Sequence, residues 1–578
     1  MRSAVKAMAL MQKAKSDWGT RSRAIDDALT PNGSAPLRVD VPAPNFLQVP
    51  PFPGAQAAGF EHVGSDRPDI ASLIQEIRRH RVGGKYWAGG PNIPCDQIVV
   101  RSQDVSSSAL RELDASRIIR WSSLAAAPSG SGKLVIDDDC DPWSVLEGAL
   151  GIVLDAGDDV LRLIAAIMGI RCYVYYSASD RLEACAGDAA DLAEKLFPSA
   201  MVRNPFMGEA MSVCEAVELC GFWRRLIESN RSIVAGLGFA FWKQQHVAPL
   251  LWDGRSPFKF ARTASDLDPN TDIAVWRAKV SQKTIEALQA KDARLVEVED
   301  GFLRSRGLGA DCVPPLSIAV DRTGAHFDAS YPSELEELLE HGSFDARILS
   351  RARELRSVIV AQGLGKYEGG TVPVERPKTD RRLILVTGQV EDDRAVLSGG
   401  CGLTSNLALL RKVRERAPDA YIIYKPHPDV VAGHRRGAIA DRSCLEFADQ
   451  IMTRGSIAAI IAMVDEVHVN TSLTGFEAVL RGKPVTTYGV PFYAGWGLTT
   501  DLGPVPARRT ARRTVDELVA AALILYPRYL DPATGLPCPA EVVVRRLTGN
   551  APVSPAGIVV TARRLQGRLM RRLRSSNR

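Results

Sequence analysis

The sequence contains no pair of cysteines spaced as Cys-x-x-Cys, although ten cysteines are scattered along its 578 residues. This absence argues against a structural zinc site and a disulfide framework, and it is typical of a reducing compartment. No run of eighteen apolar residues occurs, so no membrane-spanning helix is predicted. Residues 1–20 have no long apolar core, so we expect no secretory signal.

Charge is nearly balanced and aromatic residues are few. The net charge is +5, and only 6% of the residues are aromatic. A charge this small does not indicate a nucleic-acid partner, but it suits an anionic substrate or a membrane surface. The content of 46% hydrophobic and 24% charged residues is typical of a soluble globular protein. The length of 578 residues predicts three or four domains, and the scattered cysteines fit a cytoplasmic protein.

Short β-branched runs alternate with helical patterns between residues 264 and 525, which predicts an α/β fold with doubly wound sheets. Two such sheets in tandem give two Rossmann-type lobes with a cleft between them. The predicted segments are a basic N-terminus and Pro/Gly-rich linker without fixed structure (1–70), a partial module (71–230), an N-lobe (231–375), a nucleotide-binding C-lobe (376–545) and a basic amphipathic tail (546–578).

The partial module follows the same sequence pattern as the end of the C-lobe. In both, a strand, a helix, a glycine and a second strand follow one another, and a Pro/Gly turn comes later. The paired positions are Leu154–Val160 with Val467–Leu473, Gly169 with Gly482, and Asn204–Gly208 with Asp531–Gly535. The pattern predicts a degenerate copy of the later module. The alternative is that any two βαβ segments align this well.

A first candidate constellation follows a β-run, where Glu299 and Asp300 precede a glycine. Doubly wound folds place reactive groups at the carboxyl ends of their strands. Asp300 could act as a nucleophile or a base, with Glu299 or Arg304 setting its charge state. The alternative is a solvated turn.

A second constellation places Lys425, His427 and Pro428 at the end of another buried strand. A cation and an imidazole at this position suit a phosphate group and its departing charge. The alternative for His427 is an ordinary loop residue.

A third constellation opens a helix after a strand and contains Ser472, Thr474 and Glu477. Hydroxyl and N–H groups at a helix N-terminus form an anion site, and Glu477 could bind a ribose. The alternative is a capping box between Thr474 and Glu477.

A loop with three aromatic residues, Phe492, Tyr493 and Trp496, follows. It could cover a cleft as a lid, or it could be a packed plug. The acidic run Asp137–Asp139 has no other ligand set beside it, so we expect no metal site.

The tail has seven arginines between residues 551 and 578 and no Asp or Glu. Leu565, Leu569 and Leu573 recur every four residues, so a helix would place them on one stripe. This pattern is typical of a helix on an anionic membrane surface. The alternative is a basic tail without fixed structure.

Together these motifs resemble the capsule polysaccharide β-Kdo transferases of the KpsC/LipA type. The resemblance covers about residues 205–545 and includes Phe241–Lys243. The matching segments are VEDGFLRSRGLGAD (298–311), PPLSIAVDRTGAHFDAS (314–330), GQVEDD (388–393), YKPHPDV (424–430), TSLTGFEAVLRGKPVTTYG (471–489), PFYAGWGLT (491–499) and YPRYLDPATGLPC (526–538).

The resemblance implies a GT-B-like, metal-independent enzyme without a cofactor that takes CMP-Kdo as its donor. It implies retention by double displacement, with Asp300 as nucleophile, Glu299 as acid/base and His427 beside them in the catalytic set. His427 and Pro428 match a CMP-binding His-Pro motif, and Ser472, Thr474 and Glu477 would contact the nucleotide. Further binding candidates in these motifs are Arg304, Ser305, Gln389, Asp392, Lys425, Gly475, Tyr493 and Trp496.

Full-length members of this type carry two such modules, whereas the partial module here lacks the Glu-Asp-Gly and His-Pro motifs, so we expect one linkage. Expected partners are the nucleotide-sugar donor, a lipid-linked or oligosaccharide acceptor, other capsule assembly proteins and the inner face of the inner membrane. No nucleic acid is expected. Two alternatives stay open: a non-catalytic capsule assembly or export-associated binding protein, and a transferase for another CMP-ulosonic acid or a UDP-sugar.

Overall fold

The computed structural model describes residues 46–549, except for residues 92, 103–104, 122–134, 138, 186–187, 304–312, 366–373 and 434. Arg304, Ser305 and the arginine-rich part of the tail therefore lie outside the described residues. Four β-sheets organise the described part of the chain. No helix within this part is both long and apolar enough to cross a membrane.

The first region contains a six-stranded sheet, here called the N-terminal sheet, with the order β4-β3-β2-β5-β6-β7. Its strands are parallel except for the antiparallel pair β6–β7. The elements of this region are β1 (His62–Val63), α1 (Ile70–His80), β2 (Ile98–Val100), β3 (Ile118–Trp121), β4 (Val135–Ile136), α2 (Pro142–Leu146), β5 (Gly151–Asp155), α3 (Asp159–Met168), β6 (Arg171–Tyr176), β7 (Arg181–Ala184), α4 (Ala189–Leu196), β8 (Met201–Arg203), β9 (Ala210–Ser212) and α5 (Val213–Asn230).

Residues 46–70 belong to the folded core, which corrects the prediction that 1–70 has no fixed structure. Phe46 and Phe52 are buried. The ring of Phe52 lies edge-on to Trp252, with 5.2 Å between ring centroids. Buried aromatic rings contribute large apolar contact areas. The prediction from the proline and glycine content is therefore wrong for residues 46–70. Residues 1–45 lie outside the described part.

The N-lobe is built on a seven-stranded sheet with the order β11-β10-β12-β13-β14-β21-β22. Strands up to β13 are parallel, and the later ones are antiparallel. Its elements before the C-lobe are β10 (Ile233–Leu237), α6 (Phe241–Val247), β11 (Lys259–Ala261), β12 (Asp272–Val275), α7 (Gln282–Gln289), β13 (Arg294–Asp300), β14 (Ser317–Asp321), α8 (Glu334–His341) and α9 (Ala346–Ala361).

The C-lobe is built on a parallel six-stranded sheet with the order β17-β16-β15-β18-β19-β20. All residues of β15 are buried, as expected for a parallel sheet covered on both faces. Its elements are β15 (Leu383–Thr387), α10 (Arg394–Gly399), α11 (Asn406–Arg416), β16 (Tyr421–Lys425), α12 (Pro428–Val431), α13 (Asp441–Leu445), β17 (Gln450–Ile451), α14 (Ile457–Met463), β18 (Glu466–Val469), α15 (Leu473–Leu480), β19 (Val485–Thr487) and β20 (Thr500–Asp501).

The chain then returns to the N-lobe. After α16 (Val515–Val519), strands β21 (Pro527–Leu530) and β22 (Pro537–Cys538) extend the N-lobe sheet beyond β14, and α17 (Ala540–Thr548) follows. The predicted C-lobe, 376–545, therefore includes a segment that belongs to the other lobe. The fold is α/β and GT-B-like, as predicted, with two Rossmann-type lobes that follow the partial region.

Candidate active site

The Glu-Asp-Gly segment lies at the end of β13. Asp300 is the last residue of this strand and faces Ile318 of the antiparallel neighbour β14. Lys243, in the first turn of α6, donates a hydrogen bond to Asp300 with 3.1 Å between Nζ and Oδ1. The lysine is only 8% exposed. Asp300 therefore takes part in a partly buried ion pair rather than in a solvated turn.

Glu299 has a different electrostatic environment. Burial, followed by the negative charge of Asp300, raises the pKa of Glu299 to about 7. The positive charges of Lys243 and Arg394 oppose this rise. One carboxyl group is thus paired with a cation, while its neighbour exchanges its proton near neutral pH. Such a separation allows the two groups to take different roles in acid–base chemistry.

The two lobes approach each other beside these carboxyl groups. Arg394, the first residue of α10 in the C-lobe, lies 3.6 Å from Glu297 on β13 of the N-lobe. Arg277, which follows β12, lies 3.2 Å from the same carboxylate. The face of β13 that carries Glu297 and Glu299 therefore faces a charged part of the C-lobe, because alternate residues of a strand share one face.

An aromatic cluster joins three of the sequence motifs. The ring of Phe302 stacks on Phe492, with 4.5 Å between centroids, and lies 6.1 Å from Phe476. Gly301 lets the chain between Asp300 and Phe302 pass close to Ser317, because a Cβ atom at Gly301 would lie only 2.3 Å from Ser317 Oγ. The segment with Glu299 and Asp300 is therefore packed directly against the motifs of the C-lobe.

Lys425 and His427 lie where β16 ends, as predicted. Lys425 Nζ donates to the carbonyl oxygen of Gly455 at 3.1 Å. His427 is the N-cap of α12, and its Nδ1 accepts a hydrogen bond from the Asp429 N–H at 3.1 Å, with Pro428 as the first helical residue. This bond assigns the proton of the neutral imidazole to Nε2.

The third constellation begins α15, but its cap differs from the predicted capping box. Ser472 is the N-cap, and its Oγ accepts from the Thr474 N–H at 3.3 Å. The Thr474–Glu477 capping box is therefore wrong, because Thr474 is already inside the helix. The hydroxyl groups of Ser472 and Thr474 lie 3.2 Å apart. Together they present two hydroxyl groups at the helix N-terminus.

Glu477 points towards the segment that follows α9. It is only 7% exposed, and a Cβ atom at Gly365 would lie 3.2 Å from both of its carboxylate oxygens. Gly475 has a packing role, because a Cβ atom there would lie 2.2 Å from the hydroxyl oxygen of Tyr493.

Gln389 and Asp392 have different environments although they share one motif. The side-chain amide of Gln389 makes two bonds with Thr471: its Nε2 donates to the Thr471 hydroxyl at 2.8 Å, and its Oε1 accepts from the Thr471 N–H at 3.0 Å. Gln389 thereby links β15 to the start of the Ser472 segment. Asp392 is exposed and lies 3.5 Å from Arg435.

The aromatic loop is a packed plug and not a lid. Tyr493 and Trp496 are completely buried. Tyr493 donates a hydrogen bond to the carbonyl oxygen of Ser472, and Trp496 donates to that of Phe492 at 2.8 Å. Direct ligand contact stays a prediction for both residues, and in this structure Tyr493 packs against Gly475. Their contribution is to fix the backbone of the Ser472 segment.

Three buried polar atoms at the carboxyl edge of the C-lobe sheet have no hydrogen-bond partner among the described residues. They are Thr387 Oγ1, Tyr424 Oη and Asn470 Oδ1. Buried polar groups are normally paired, so these three atoms are exceptions at this edge of the sheet. Across the same described residues, no group of three or more His, Cys, Asp and Glu side chains could hold a metal ion.

Comparison with known proteins identifies the family. The model of the family described as "Capsule polysaccharide biosynthesis protein" matches residues 271–368 and 347–529. These segments contain parts of both lobes, including Asp300, His427 and Glu477. Residues 271–529 of the chain belong to the capsule polysaccharide biosynthesis protein family. The matched part excludes the region before residue 271, which contains the N-terminal sheet.

Two curated proteins are similar to part of the chain. Capsule polysaccharide modification protein LipA of Neisseria meningitidis is 39% identical over 349 residues, which are 60% of this chain and 49% of LipA. Lipopolysaccharide-processing protein LpsZ of Rhizobium meliloti is 48% identical over 239 residues, which are 41% of this chain and 54% of LpsZ. The chain thus spans about half the length of these curated relatives.

A solved chain of Thermosulfurimonas dismutans KpsC, described as a "beta Kdo 2,7 transferase", is 35% identical to the protein. The alignment covers 54% of this chain and 98% of the KpsC chain, with a TM-score of 0.45.

Sequence reasoning missed Lys243 as a residue of this site, and it singled out neither Thr387 nor Tyr424 at the carboxyl edge of the C-lobe sheet. Lys243 and Tyr424 lay within matching motifs, but nothing in their local sequence indicated a role. Lys243 is 57 residues away from Asp300, so only the parallel packing of β10, β12 and β13 brings the two together.

Proposed function

We propose that this protein is a retaining glycosyltransferase that transfers Kdo from CMP-Kdo to a growing capsular polysaccharide or its glycolipid anchor. The Asp300–Lys243 pair at the end of β13 gives the strongest support, because it places a carboxyl group against a buried lysine at the carboxyl end of a strand. The choice of Kdo as the sugar rests on the motif resemblance, which includes the segments around Asp300 and His427.

In the first step, the Asp300 carboxylate attacks the anomeric carbon of Kdo. The bond between that carbon and the phosphate oxygen breaks, and CMP leaves with the bonding electron pair. The product is a glycosyl ester of Asp300. Nε2–H of His427 is suited to donate to the departing phosphate, and the polar start of α15 is suited to hold it.

In the second step, an acceptor hydroxyl group attacks the same carbon from the opposite side. Glu299 takes the hydroxyl proton, and Asp300 leaves as a carboxylate. A pKa of about 7 suits this proton transfer, since an efficient general base titrates near the operating pH. Two inversions at one carbon give overall retention.

A donor screen with the full chain tests the proposal. With a Kdo-terminated glycolipid as acceptor, CMP-Kdo should release CMP and extend the acceptor by one Kdo. If CMP-neuraminic acid is the only donor that reacts, the donor sugar is another ulosonic acid and not Kdo. If none of the donors releases CMP although the protein binds the glycolipid, the proposed transferase activity is contradicted and a binding protein is favoured.

A further inference from the structure

Lys243 occupies an unusual position for a lysine. Its side chain is almost completely buried, with Nζ 3.3 Å from the ring centroid of Trp276 and 5.2 Å from that of Trp242. A buried ammonium group is costly unless it is paired. Here Asp300 Oδ1 at 3.1 Å and the two indole faces provide compensation.

The backbone fixes the lysine over the end of the N-lobe sheet. Gly238, between β10 and α6, has a φ of 84°, and a Cβ atom there would lie 2.8 Å from the carbonyl oxygen of Trp276. This close approach lets α6 start beside the ends of β12 and β13. The packing of α6 against the ends of β12 and β13 therefore determines the position of Nζ, which a flexible lysine on the surface would not have.

The charged groups that act on Glu299, the neighbour of Asp300, come from both lobes. Lys243 belongs to α6, whereas Asp393 and Arg394 belong to the C-lobe. Glu297, on the same strand, is already matched by Arg277 and Arg394. Lys243 is thus a cation in direct contact with the Asp300 carboxylate, and Arg277 and Arg394 lie on the face of β13 that carries Glu297.

We infer that Lys243 is a positioning residue that orients the Asp300 carboxylate and keeps it ionised before the donor binds. The inference deepens the proposed function, since Asp300 is the nucleophile there. An ammonium group 3.1 Å from the carboxylate favours its charged form and restricts its rotation.

Steady-state kinetics with three variants test the inference. Lys243→Met removes the charge, Lys243→Arg keeps it, and Lys279→Met is the control, because Lys279 is exposed and follows Trp276 by three residues. For Lys243→Met we expect kcat to fall at least about tenfold at pH 7 with an unchanged KM for the donor. We also expect the rising limb of its pH profile to move to higher pH. Lys243→Arg should keep the limb near that of the wild type.

A purely structural role predicts another result. The melting temperature and the activity of Lys243→Met would then fall together, its rising limb would stay in place, and Lys243→Arg would restore nothing. That result would overturn the inference. Lys243→Arg retains the cation and therefore provides a test even if Lys243→Met does not fold.

A measurement without substrate separates this inference from the proposed function. Carboxyl ¹³C signals of labelled aspartate are followed against pH, with the Asp300 signal identified by its loss in Asp300→Asn. The midpoint of this signal should rise in Lys243→Met and not in Lys279→Met, whether or not CMP-Kdo is the donor. Equal midpoints in all proteins would overturn the inference, even if the donor screen succeeds.

Discussion

The N-terminal sheet and the C-lobe sheet have the same strand order, yet their carboxyl edges carry different residues. In both sheets the first strand is central, two strands lie on one side and three lie on the other. Helices α3 and α15 follow corresponding strands, and the left-handed residues Gly169 (φ 72°) and Gly482 (φ 68°) come after them. The two halves differ at the helix start, where Ser472 is the N-cap of α15, whereas α3 has Asp158 as its N-cap and Asp159 as its first residue.

The segments after the two sheets also correspond. The turns of the two β-hairpins end in Gly208 (φ 75°) and Gly535 (φ 73°). The N–H of each glycine donates to the carbonyl of the residue that begins its turn, Asn204 at 2.9 Å and Asp531 at 2.8 Å. The side chains of Asn204 and Asp531 each accept two backbone N–H groups of their turns. The correspondence therefore reaches beyond a single βαβ segment.

The two regions differ most in what precedes the shared part. In the later region β14 pairs with β13, which carries Glu299 and Asp300. In the earlier region β1 pairs with β8 in a three-stranded sheet, and the described residues contain no counterpart of β10–β13. We infer that the earlier region is a partial copy that kept the C-lobe topology without the strand of the nucleophile. Topology depends on many apolar positions, whereas the chemistry depends on a few polar ones.

The largest expected effect is confined to the later region. Asp300→Asn should lower kcat by at least about 10³-fold, roughly 4 kcal/mol of activation free energy, because an amide cannot form the ester. CMP release with CMP-Kdo measures it. Asp155→Asn is the matched control, since Asp155 ends strand β5 of the N-terminal sheet. A loss of less than about tenfold in Asp300→Asn would exclude the nucleophile role.

A second prediction assigns the earlier region a supporting role. Arg224 and Asp141 form an ion pair with 2.7 Å between Nη2 and Oδ2, and their side chains are 6% and 0% exposed. Arg224→Met leaves a buried charge unpaired, which should lower the free energy of unfolding by about 3–5 kcal/mol. The neighbouring Trp223 donates to the carbonyl of Pro537 in the later region, so helix α5 joins both regions.

Urea unfolding followed by tryptophan fluorescence measures this loss. Arg67→Met is the control, because the Arg67–Glu194 pair is 71% and 53% exposed and should contribute at most about 1 kcal/mol. Folded Arg224→Met should retain transferase activity per molecule. If activity disappears while the protein stays folded, the earlier region takes part in the reaction.

A third prediction compares the two helix starts. His427→Ala and Ser472→Ala should each weaken CMP binding by at least about tenfold, because each removes a hydrogen bond to a charged group. Asp159→Ala changes the corresponding helix start of the N-terminal sheet and should leave CMP affinity unchanged. Calorimetry with CMP decides between these results. If CMP affinity is unchanged in all three variants, the proposal that the nucleotide binds at the carboxyl edge of the C-lobe sheet is rejected.

The sequence predicted the regular part of the molecule well, because buried parallel strands have β-branched runs and their ends are marked by glycine and proline. It did not predict which side chains become neighbours across long separations, as for Lys243 and Asp300. The sequence also could not decide whether Tyr493 covers a cleft or packs inside the protein. Tyr493 packs inside because Gly475 has no Cβ atom to exclude its hydroxyl group. The folded segment after residue 45 was missed because Phe52 contacts Trp252, which is distant in sequence, only in the tertiary structure.

The smallest expected effect is the pH dependence of stability at Glu299. Its pKa rises from 4.5 to about 7 on folding, so the folded state binds this proton more tightly than the unfolded state does. The resulting stabilisation is complete below about pH 4.5 and is lost as the pH rises through about 7. Glu299→Gln has no such proton, so its melting temperature relative to the wild type should increase from pH 5 to pH 8 by on the order of 1 °C. Differential scanning calorimetry at both pH values measures the change, and Glu286→Gln, at an exposed position on α7, should show no such trend. A constant difference between Glu299→Gln and the wild type would mean that Glu299 titrates as an ordinary surface carboxyl group, and the proposed division of roles with Asp300 would lose its basis.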